Sequence, residues 1–536
     1  MIYASFVITI VLSIYAGWLA FRYNMHMFQL NTYINGEQRI WIRKNIRLQW
    51  ILLFAIILGI IRIFLVAGKT FNDVYDVALC ITDIIIWLTL YVIITVYKLR
   101  REMNTKKKLV FTSRVKRMLA TITIISFLFI IIVIISGLIN LLPGIFVILV
   151  GSQLFMNMLS NIINKPIETG VKNYYINDAK KILKSMPNLT VIGVTGSYGK
   201  TSVKFYLETL LKHKYNVIVT PESYNTPMGI VKTIRGQMKP SHEIFVCEMG
   251  ARYVGEIKEL CDIVNPDMGV ITAVGPQHLE TFGSIDNIKN TKFELADCLP
   301  SGGVIFLNGD NTYIQEKAVD YNNKVFYYSH DDGEKNEGYY ASDIAVSPLG
   351  TEFTVTAPDG YKENFQMKLI GAHNVINVVG AIAVANSMGI SLSDLRIPVR
   401  RIRPVAHRME IKDRGNVTII DDAFNSNPVG SKAAVETLSM FDGTRILITP
   451  GMIELGDDEF EYNRKFGNYA ADCCDYILLV GKKHTEPILK GVLEKGFSDE
   501  KCHVFDKLEE AISYAYSLKT DKHKYILLEN DLPDNY

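Results

Sequence analysis

The sequence has few cysteines and no marked excess of either charge. Its 536 residues include seven cysteines, and none has a C-x-x-C spacing, so neither a zinc site nor a secreted disulfide framework is indicated. The formal net charge is +2, which argues against a nucleic-acid-binding protein, because phosphate contacts normally need a strongly basic face. Only 21% of the residues are charged, whereas 49% are hydrophobic. This apolar excess predicts a membrane region attached to a reduced, cytosolic remainder.

The apolar residues are concentrated at the N-terminal end. A helix needs about 20 apolar residues to cross the hydrocarbon of a bilayer. Three runs of this length lie at 2–21, 48–67 and 77–97. A longer run at 118–163 is interrupted at 140–144, where Pro143 and Gly144 favour a turn, so it predicts two more crossings. We therefore predict a transmembrane region of about five helices over residues 1–164.

Basic residues predict the orientation of these helices. Arginines and lysines are frequent at 22–47 and 98–117, whereas 68–76 has only Lys69 beside two aspartates. Because cytoplasmic connections carry the excess of basic residues, the first two segments should face the cytoplasm. Five crossings then leave the rest of the chain in the cytoplasm, where ATP is. The prediction is a multi-pass protein of the cell membrane with cytoplasmic catalytic domains.

Two charged residues, Arg62 and Asp83, lie within predicted crossings. Intramembrane charges are costly and usually face the interior of a helix bundle. They could guide a lipid headgroup or substrate, or they could simply pair with each other. Both interpretations remain open from the sequence.

The remainder alternates short apolar strands with helical segments, a pattern typical of a parallel sheet with crossover helices. The first strands are predicted at 191–196, 217–220, 243–250, 268–275 and 304–310. A polar stretch at 331–359 with alternating threonine and valine predicts a local antiparallel insertion. A second series is predicted at 417–424, 445–451, 476–481 and 525–530. The chain is thus an α-helical membrane region followed by α/β structure.

A glycine-rich turn follows the first of these strands, in the sequence VIGVTGSYGKTS at 191–202. A strand, a glycine-rich turn and a helix start in this order form a P-loop, whose backbone N–H groups surround nucleotide phosphates. Lys200 would neutralise phosphate charge, and the Thr201 hydroxyl would bind Mg²⁺. The predicted ATP-binding residues here are Gly196, Ser197, Gly199, Lys200, Thr201 and Ser202.

A carboxylate, Glu248, ends the apolar strand IFVCE. Doubly wound sheets bind ligands at the carboxyl ends of their strands, so Glu248 is a predicted Mg²⁺ ligand.

The P-loop is followed by EMGA at 248–251 and HLETFGS at 278–284, and this combination resembles the Mur ligases. These are ATP-dependent amide-forming enzymes of peptidoglycan synthesis, and the resemblance is closest to the branch that adds D-alanyl-D-alanine to the UDP-linked muramoyl tripeptide. It implies that His278 binds a second Mg²⁺. It also implies a carbamylated lysine at Lys292, in the segment KFE, and a catalytic set of Lys200, His278 and Lys292.

Further segments extend the resemblance into the rest of the chain. They are GAHNVIN at 371–377, HRME at 407–410 and IIDDAFNSNP at 419–428. The implied ATP contacts are Asn374 at the adenine, Arg408, Asp421 or Asp422 at the ribose, and Asn425 in the cleft. The implied organisation is a linker at 165–188, a P-loop ATPase central domain at 189–403 and a Rossmann-like C-terminal domain at 404–536.

The resemblance has one large departure. Membrane spans stand where that branch has a soluble domain for the UDP part of its substrate. We therefore expect a membrane-anchored ligase that adds an amino acid or short peptide, through an acyl phosphate, to a cell-envelope precursor that is lipid-linked. The alternatives are a poly-amino-acid synthetase of the capsule type and an ATP-binding membrane scaffold without catalysis.

Overall fold

The computed structural model describes residues 2–67, 77–102, 108–318, 324–330, 338–424 and 426–531. The described chain divides into two units, one up to Asn173 and one from Tyr174. The segment at 68–76, predicted to face outward, and part of the basic segment at 98–117 lie outside these residues.

The first unit is helical. Its elements are α1 (Ile2–Leu30), α2 (Asn35–Lys44), α3 (Ile46–Val66), α4 (Val77–Glu102), α5 (Ser113–Ile135) and α6 (Leu142–Lys184), of which the last residues belong to the second unit. A short 3₁₀ turn at Ile139–Leu141 separates α5 from α6, next to Pro143. Within the described chain, five helices (α1, α3, α4, α5 and α6) have the length and apolar composition to cross a membrane. The five predicted runs are therefore helices, and their sides carry exposed apolar residues such as Phe64, Tyr91 and Phe127.

Arg62 and Asp83 pair inside this unit. Arg62 Nε donates to Asp83 Oδ1 at 2.7 Å, and Ser5 Oγ donates to Asp83 Oδ2 at 2.9 Å. Both charged residues are buried, at 6% and 9% exposure. Of the two interpretations left open by the sequence, mutual pairing is the one that the structure contains.

The second unit begins with a large mixed sheet. Its elements are β1 (Thr190–Thr195), α7 (Lys200–Leu211), β2 (Val217–Val219), α8 (Pro227–Gln237), β3 (Ile244–Glu248), α9 (Glu256–Val264), β4 (Met268–Ile271), α10 (Leu279–Phe282), α11 (Ile285–Asp297), β5 (Val304–Asn308), α12 (Thr312–Ala318), β6 (Lys324–Ser329), β7 (Gly338–Ser347), β8 (Gly350–Thr356), β9 (Lys362–Met367), α13 (Ala372–Ser387) and α14 (Leu392–Arg401). In the described residues the strand order is β2-β3-β1-β4-β5-β6-β7-β8-β9. Apolar side chains from α7 and α13 form the core on one face, and those from α9 and α11 form the core on the other.

The polar stretch at 331–359 differs from its prediction in one respect. β7, β8 and β9 are antiparallel, as expected, but β6 and β7 pair in parallel and join them to the main sheet. The described part of the segment, from Gly338 onward, is thus the far edge of this sheet rather than a separate local insertion, and residues 331–337 lie outside the described residues. Phe353 and Phe365 stack at 5.8 Å between centroids and extend the core under this edge.

A second sheet follows. Its elements are β10 (Glu410–Asp413), β11 (Val417–Asp422), α15 (Pro428–Ser439), β12 (Thr444–Thr449), α16 (Glu459–Cys473), β13 (Tyr476–Val480), α17 (Lys482–Glu494), β14 (Cys502–Phe505), α18 (Leu508–Ser517) and β15 (Lys524–Glu529). The strand order is β10-β11-β15-β12-β13-β14, and all pairs except β10 with β11 are parallel. This doubly wound topology places the carboxyl ends of β11, β12 and β15 at one edge, where ligands bind in such sheets.

Candidate active site

The predicted P-loop has the backbone that phosphate binding needs. β1 ends at Thr195, and α7 begins at Lys200. Gly196 and Gly199 have φ angles of 149° and 79°, which favour glycine. A Cβ on Gly196 would lie 2.1 Å from Thr272 Oγ1, and one on Gly199 would lie 2.7 Å from Asn377 Oδ1. Both glycines are therefore required by the packing as well as by the backbone angles.

The Lys200 side chain folds back over this loop. Its Nζ donates to the carbonyls of Gly196 at 2.5 Å and Ser197 at 3.1 Å. Burial lowers the pKa of Lys200 to about 8, with the Arg408 charge adding to this effect and Glu248 opposing it. Lys200 thus remains mostly protonated at neutral pH and points its charge at the loop.

Glu248 lies beside the P-loop because β3 pairs with β1, with Glu248 opposite Val194. Thr201 Oγ1 donates to Glu248 Oε1 at 3.1 Å, and Asn225 Nδ2 donates to the same oxygen at 3.1 Å. A hydroxyl and a carboxylate oxygen this close together are a donor set that fits Mg²⁺. The two predicted metal ligands of the first site are therefore adjacent.

A residue that the sequence analysis did not single out, Lys204, pairs with Glu248. Lys204 Nζ lies 3.0 Å from Glu248 Oε2, and both side chains are at most 1% exposed. Burial lowers the pKa of Lys204, while Glu248 opposes that shift. Lys204 lies one helical turn after Lys200 on α7, so the spacing of the two lysines was a signal for it.

His278 is held by a carboxylate from the second sheet's domain. Its Nδ1 hydrogen-bonds to Glu454 Oε2, and Glu454 Oε1 accepts from Arg252 Nη2 at 2.6 Å. Burial lowers the pKa of His278, although Glu454 acts in the opposite direction. Both His278 and Glu454 have positive φ angles, 52° and 64°, which are uncommon for residues with a side chain. Glu454 and Arg252 were not predicted, because the contacts that join them and His278 are between segments distant in the chain.

Lys292 is buried on α11 without a counter-ion. It is 1% exposed and forms no ion pair with any carboxylate of the described residues; its ammonium lies 5.8 Å from the centre of the Phe282 ring. Burial, followed by the charge of Lys200, lowers the pKa of Lys292 well below its usual value, against the opposing Glu256 and Glu294. This shift favours the neutral amine, which is the nucleophilic form that reacts with carbon dioxide.

Arg408 brings the second domain to the P-loop. Its Nη2 lies 3.4 Å from Thr201 Oγ1, and its guanidinium lies 4.8 Å from the centre of the Phe424 ring. The residues on both sides of Arg408 are held by aspartates of β11. Met409 N donates to Asp422 Oδ1 at 3.1 Å, and His407 Nδ1 contacts Asp421 Oδ2 at 2.8 Å.

The two predicted ribose-binding aspartates differ in their surroundings. Burial would raise the pKa of Asp421, but hydrogen bonds from Lys412 at 2.6 Å and from His407 outweigh it and lower the pKa. Burial raises the pKa of Asp422 to about 6. Asp421 is thus engaged by the side chains of Lys412 and His407, whereas the hydrogen bond to Asp422 comes from the backbone N–H of Met409. Asn425 lies outside the described residues.

Asn374 lies at the start of α13, which packs against α7. Its Nδ2 donates to Ile370 O at 2.9 Å, and its Oδ1 accepts from Tyr206 on α7 at 3.1 Å. The structure therefore brings the P-loop, Glu248, His278, Lys292 and Arg408 into one electrostatically connected region, with Asn374 beside α7.

These features define a nucleotide-dependent enzyme whose cleft is formed by a P-loop domain and a second α/β domain. Residues 194–385 match the Mur ligase middle domain, and residues 407–529 match the Mur ligase glutamate ligase domain. The chain is 32% identical over 321 residues to UDP-N-acetylmuramoyl-tripeptide--D-alanyl-D-alanine ligase of Bacillus subtilis, covering 59% of this chain and 68% of that one. It is 31% identical to the Escherichia coli ligase of the same name, covering 58% and 68%.

Solved structures have the same fold. MurF ligase from Thermotoga maritima, a complex with ADP, superposes with a TM-score of 0.60 at 24% identity, over 67% of this chain and 80% of that one. The chain belongs to the Mur ligase family. It is accordingly an ADP-forming ligase.

Proposed function

We propose that this protein is a membrane-bound ligase that joins an amino acid or short peptide to a lipid-linked precursor of the cell envelope. The observation that carries the proposal is the presence, in one chain, of the two Mur ligase domains and, among the described residues, of five helices apolar enough to cross a membrane. An enzyme fixed at the bilayer meets a lipid-anchored substrate at a high effective concentration. A soluble nucleotide-linked substrate would gain nothing from this arrangement.

The reaction follows from the retained groups. A carboxylate of the acceptor attacks the γ-phosphate of ATP, giving ADP and an acyl phosphate, and an amine then attacks the acyl carbon, giving an amide and phosphate. Lys200, Arg408 and the N–H groups of the P-loop stabilise the negative charge of the phosphoryl group in transfer. The two α/β domains exclude water from the acyl phosphate while the amine binds.

Mg²⁺ is the metal that these residues fit. Thr201 and Glu248 would hold one ion, and His278 with carbamylated Lys292 would hold a second. When bound, the ions neutralise phosphate charge and polarise the phosphoryl oxygens. Glu454 keeps His278 Nδ1 engaged, which fixes the ring and leaves Nε2 available as the ligand atom.

Carbamylation of Lys292 is supported by its surroundings. A neutral buried amine reacts with carbon dioxide, and the product is an anion that binds Mg²⁺, which a bare ammonium would repel. The positive charge of Lys200 would stabilise that anion, against the opposing charges of Glu256 and Glu294. The proposed ATP site also includes Asn374, which would contact the adenine. Asp422 would contact the ribose, and Asp421 is the second choice for that contact.

The function is tested with the full-length protein purified in detergent. It is incubated with ATP, Mg²⁺ and a bacterial membrane-lipid extract, amino acids are added singly, and released phosphate is measured alongside mass spectrometry of the lipids. We expect phosphate release to require one particular amine. We also expect one lipid in the extract to gain the mass of that amine minus water. ATP turnover that needs no amine would refute the ligase assignment and favour the scaffold. Repeated mass increments on one molecule would favour the poly-amino-acid synthetase.

The carbamate is tested by Lys292→Ala. We expect the variant to lose at least about a hundredfold in kcat, because a buried metal ligand is removed, and to regain part of it with added formate or acetate. Lys289→Ala, on the same helix but paired with exposed Asp286 and Glu316, is the matched control and should keep wild-type activity. A Lys292→Ala enzyme as active as this control would contradict the proposed role.

A further inference from the structure

The segment that carries His278 is held by hydrogen bonds to its backbone as well as by the contact at the histidine ring. This segment, residues 272–278, joins β4 to α10, and we call it the histidine loop. Because His278 is its last residue, the place of the proposed metal ligand depends on what fixes the loop.

Two asparagines at the end of β5 hold the start of the histidine loop. Asn308 Nδ2 donates to Thr272 O, and Asn311 Nδ2 donates to Val274 O, both at 2.9 Å. These contacts fix the beginning of the loop on the central sheet. The part nearer to His278 is held from the other side.

The P-loop supplies the remaining contacts. Ser197 N donates to Ala273 O at 2.6 Å, and the Ser197 hydroxyl donates to Gly275 O at 3.0 Å. Tyr198 Oη donates to Pro276 O at 2.8 Å. The carbonyls of five successive residues of the histidine loop therefore each accept a hydrogen bond from another segment.

Tyr198 makes the last of these five contacts, two residues before His278. A Cβ on Gly275 would lie 2.8 Å from Tyr198 Cε2 and Oη, so the ring reaches the next carbonyl, that of Pro276, only because residue 275 is glycine. The Tyr198 carbonyl in turn accepts from Thr272 Oγ1. Tyr198 is thus tied to the histidine loop by both its backbone and its side chain.

The contacts of Tyr198 and Glu454 restrain different parts of the same residue. Glu454 holds the His278 ring, whereas Tyr198 holds the backbone that leads to it. His278 has a φ angle of 52°, which is uncommon for a residue with a side chain and persists only where the surroundings hold it. A metal ligand must be held to within about 0.5 Å of its productive position. An anchored backbone is therefore needed as much as an oriented ring.

We propose that Tyr198 is a positioning residue for the second Mg²⁺ of the active site. Its hydroxyl holds the histidine loop on the P-loop and so places His278 where it binds the ion. This role rests on the proposed function, in which His278 and carbamylated Lys292 hold that ion. The first site, at Thr201 and Glu248, is built on α7 and β3 and should not depend on the Tyr198 hydroxyl.

The test titrates the full-length protein in detergent with Mn²⁺, which replaces Mg²⁺ and is detected by electron paramagnetic resonance. Bicarbonate and one equivalent of a non-hydrolysable ATP analogue are present. We expect the wild type to bind two ions and His278→Ala to bind one. Tyr198→Phe removes only the hydroxyl, so it should bind the first ion with wild-type affinity. It should bind the second about tenfold more weakly, because residues that orient a metal ligand typically change metal affinity by about 10–100-fold.

Tyr215→Phe is the matched control. Tyr215 Oη donates to Met388 O at 2.5 Å, so this variant also loses a hydroxyl that is bonded to a backbone carbonyl. Tyr215 follows the last turn of α7, whose 12 residues separate it from the P-loop by about 18 Å of helix. The two variants should lower the unfolding temperature by similar amounts, and Tyr215→Phe should bind both ions as the wild type does.

The outcomes separate this role from the proposed function. Wild-type affinity of Tyr198→Phe for both ions, or equal weakening of both, would overturn the positioning role. Two ions bound by His278→Ala would refute the second metal site, and the role of Tyr198 with it. If the wild type binds the second ion through His278 but extends no lipid, the role of Tyr198 stands and the lipid-linked acceptor is refuted.

Discussion

Glu454 is the residue through which the second domain fixes a proposed metal ligand of the first. Its carboxylate contacts His278 and Arg252 at once. Carboxylates that orient a ligating histidine typically change activity by about 10–100-fold when removed. We predict that Glu454→Ala lowers kcat by this factor with little change in the KM for ATP, because Glu454 holds His278 at the proposed second metal site. Glu454→Gln should have a kcat between those of the wild type and Glu454→Ala.

Steady-state kinetics of phosphate release measures both variants. Glu461→Ala, a change at an exposed carboxylate of α16 that pairs with Arg464, is the control. Unchanged kcat in Glu454→Ala would show that the His278 contact has no catalytic consequence.

The buried pair of Lys204 and Glu248 should matter for stability. Removing one partner of a buried ion pair costs about 3–5 kcal/mol, because the other charge is left unpaired. Lys204→Met should therefore lower the free energy of unfolding by this amount, measured by urea denaturation of the full-length protein. Lys212, which directly follows α7, forms a largely exposed pair with Glu208. The control Lys212→Met should therefore lower the free energy of unfolding by at most about 0.5 kcal/mol. Equal effects would mean that the buried pair is not formed.

Glu529 makes stability depend on pH. Burial raises the pKa of Glu529 to about 7 from 4.5, against hydrogen bonds from Ser426 and Thr449 that lower it. Between pH 4.5 and about 7, Glu529 is ionised in the unfolded chain but protonated in the folded chain. The contribution of Glu529 to the free energy of unfolding is therefore largest below pH 4.5 and falls by about 3 kcal/mol as the pH rises to about 7. Glu529→Gln should remove this fall, so the variant should have a higher free energy of unfolding than the wild type at pH 8 and the same value at pH 4. Parallel pH profiles of wild type and variant would contradict the shifted pKa.

Among the elements, those with a strong local signal were predictable. The strands β1 to β5 and the main strands of the second sheet follow uniform apolar runs, and the P-loop follows from its glycines. β10 and β14 lie at the edges of their sheet and are short and partly exposed, so no apolar run marks them. The spacing from Lys200 places Lys204 on the same side of α7, but its pairing with Glu248 joins distant segments, as do the contacts of Arg252 and Glu454, and sequence spacing does not reveal such contacts. The parallel pairing of β6 with β7, which turns the predicted insertion into a sheet edge, is likewise a tertiary effect.

The packing of α3 on α6 depends on glycine. A Cβ at Gly151 would lie 2.4 Å from Leu52 O, a backbone atom that cannot give way. We predict that Gly151→Val separates the two helices and lowers the yield of monodisperse protein in detergent, measured by size-exclusion chromatography. Gly170→Ala is the control on the same helix: a Cβ there meets nothing within 4 Å, and the higher helix propensity of alanine should leave the protein equally or more stable. A monodisperse Gly151→Val protein would contradict the close contact.

At the scale of the whole molecule, we propose that the helical unit changes what the ligase can act upon. The ligase domains alone resemble enzymes named for a UDP-linked substrate. The five apolar helices found among the described residues are the reason why we propose an acceptor in the bilayer.

The distribution of a labelled amine tests this account most directly. Full-length protein in nanodiscs is supplied with ATP, Mg²⁺, a radiolabelled amine identified by phosphate release, and equal amounts of bacterial lipid extract and water-soluble nucleotide-linked precursors. The products are partitioned between butanol and water. We predict that the label enters the butanol phase in an ATP-dependent manner and that Lys292→Ala abolishes this transfer. Label that enters only the aqueous nucleotide-linked precursors would contradict the lipid-linked acceptor.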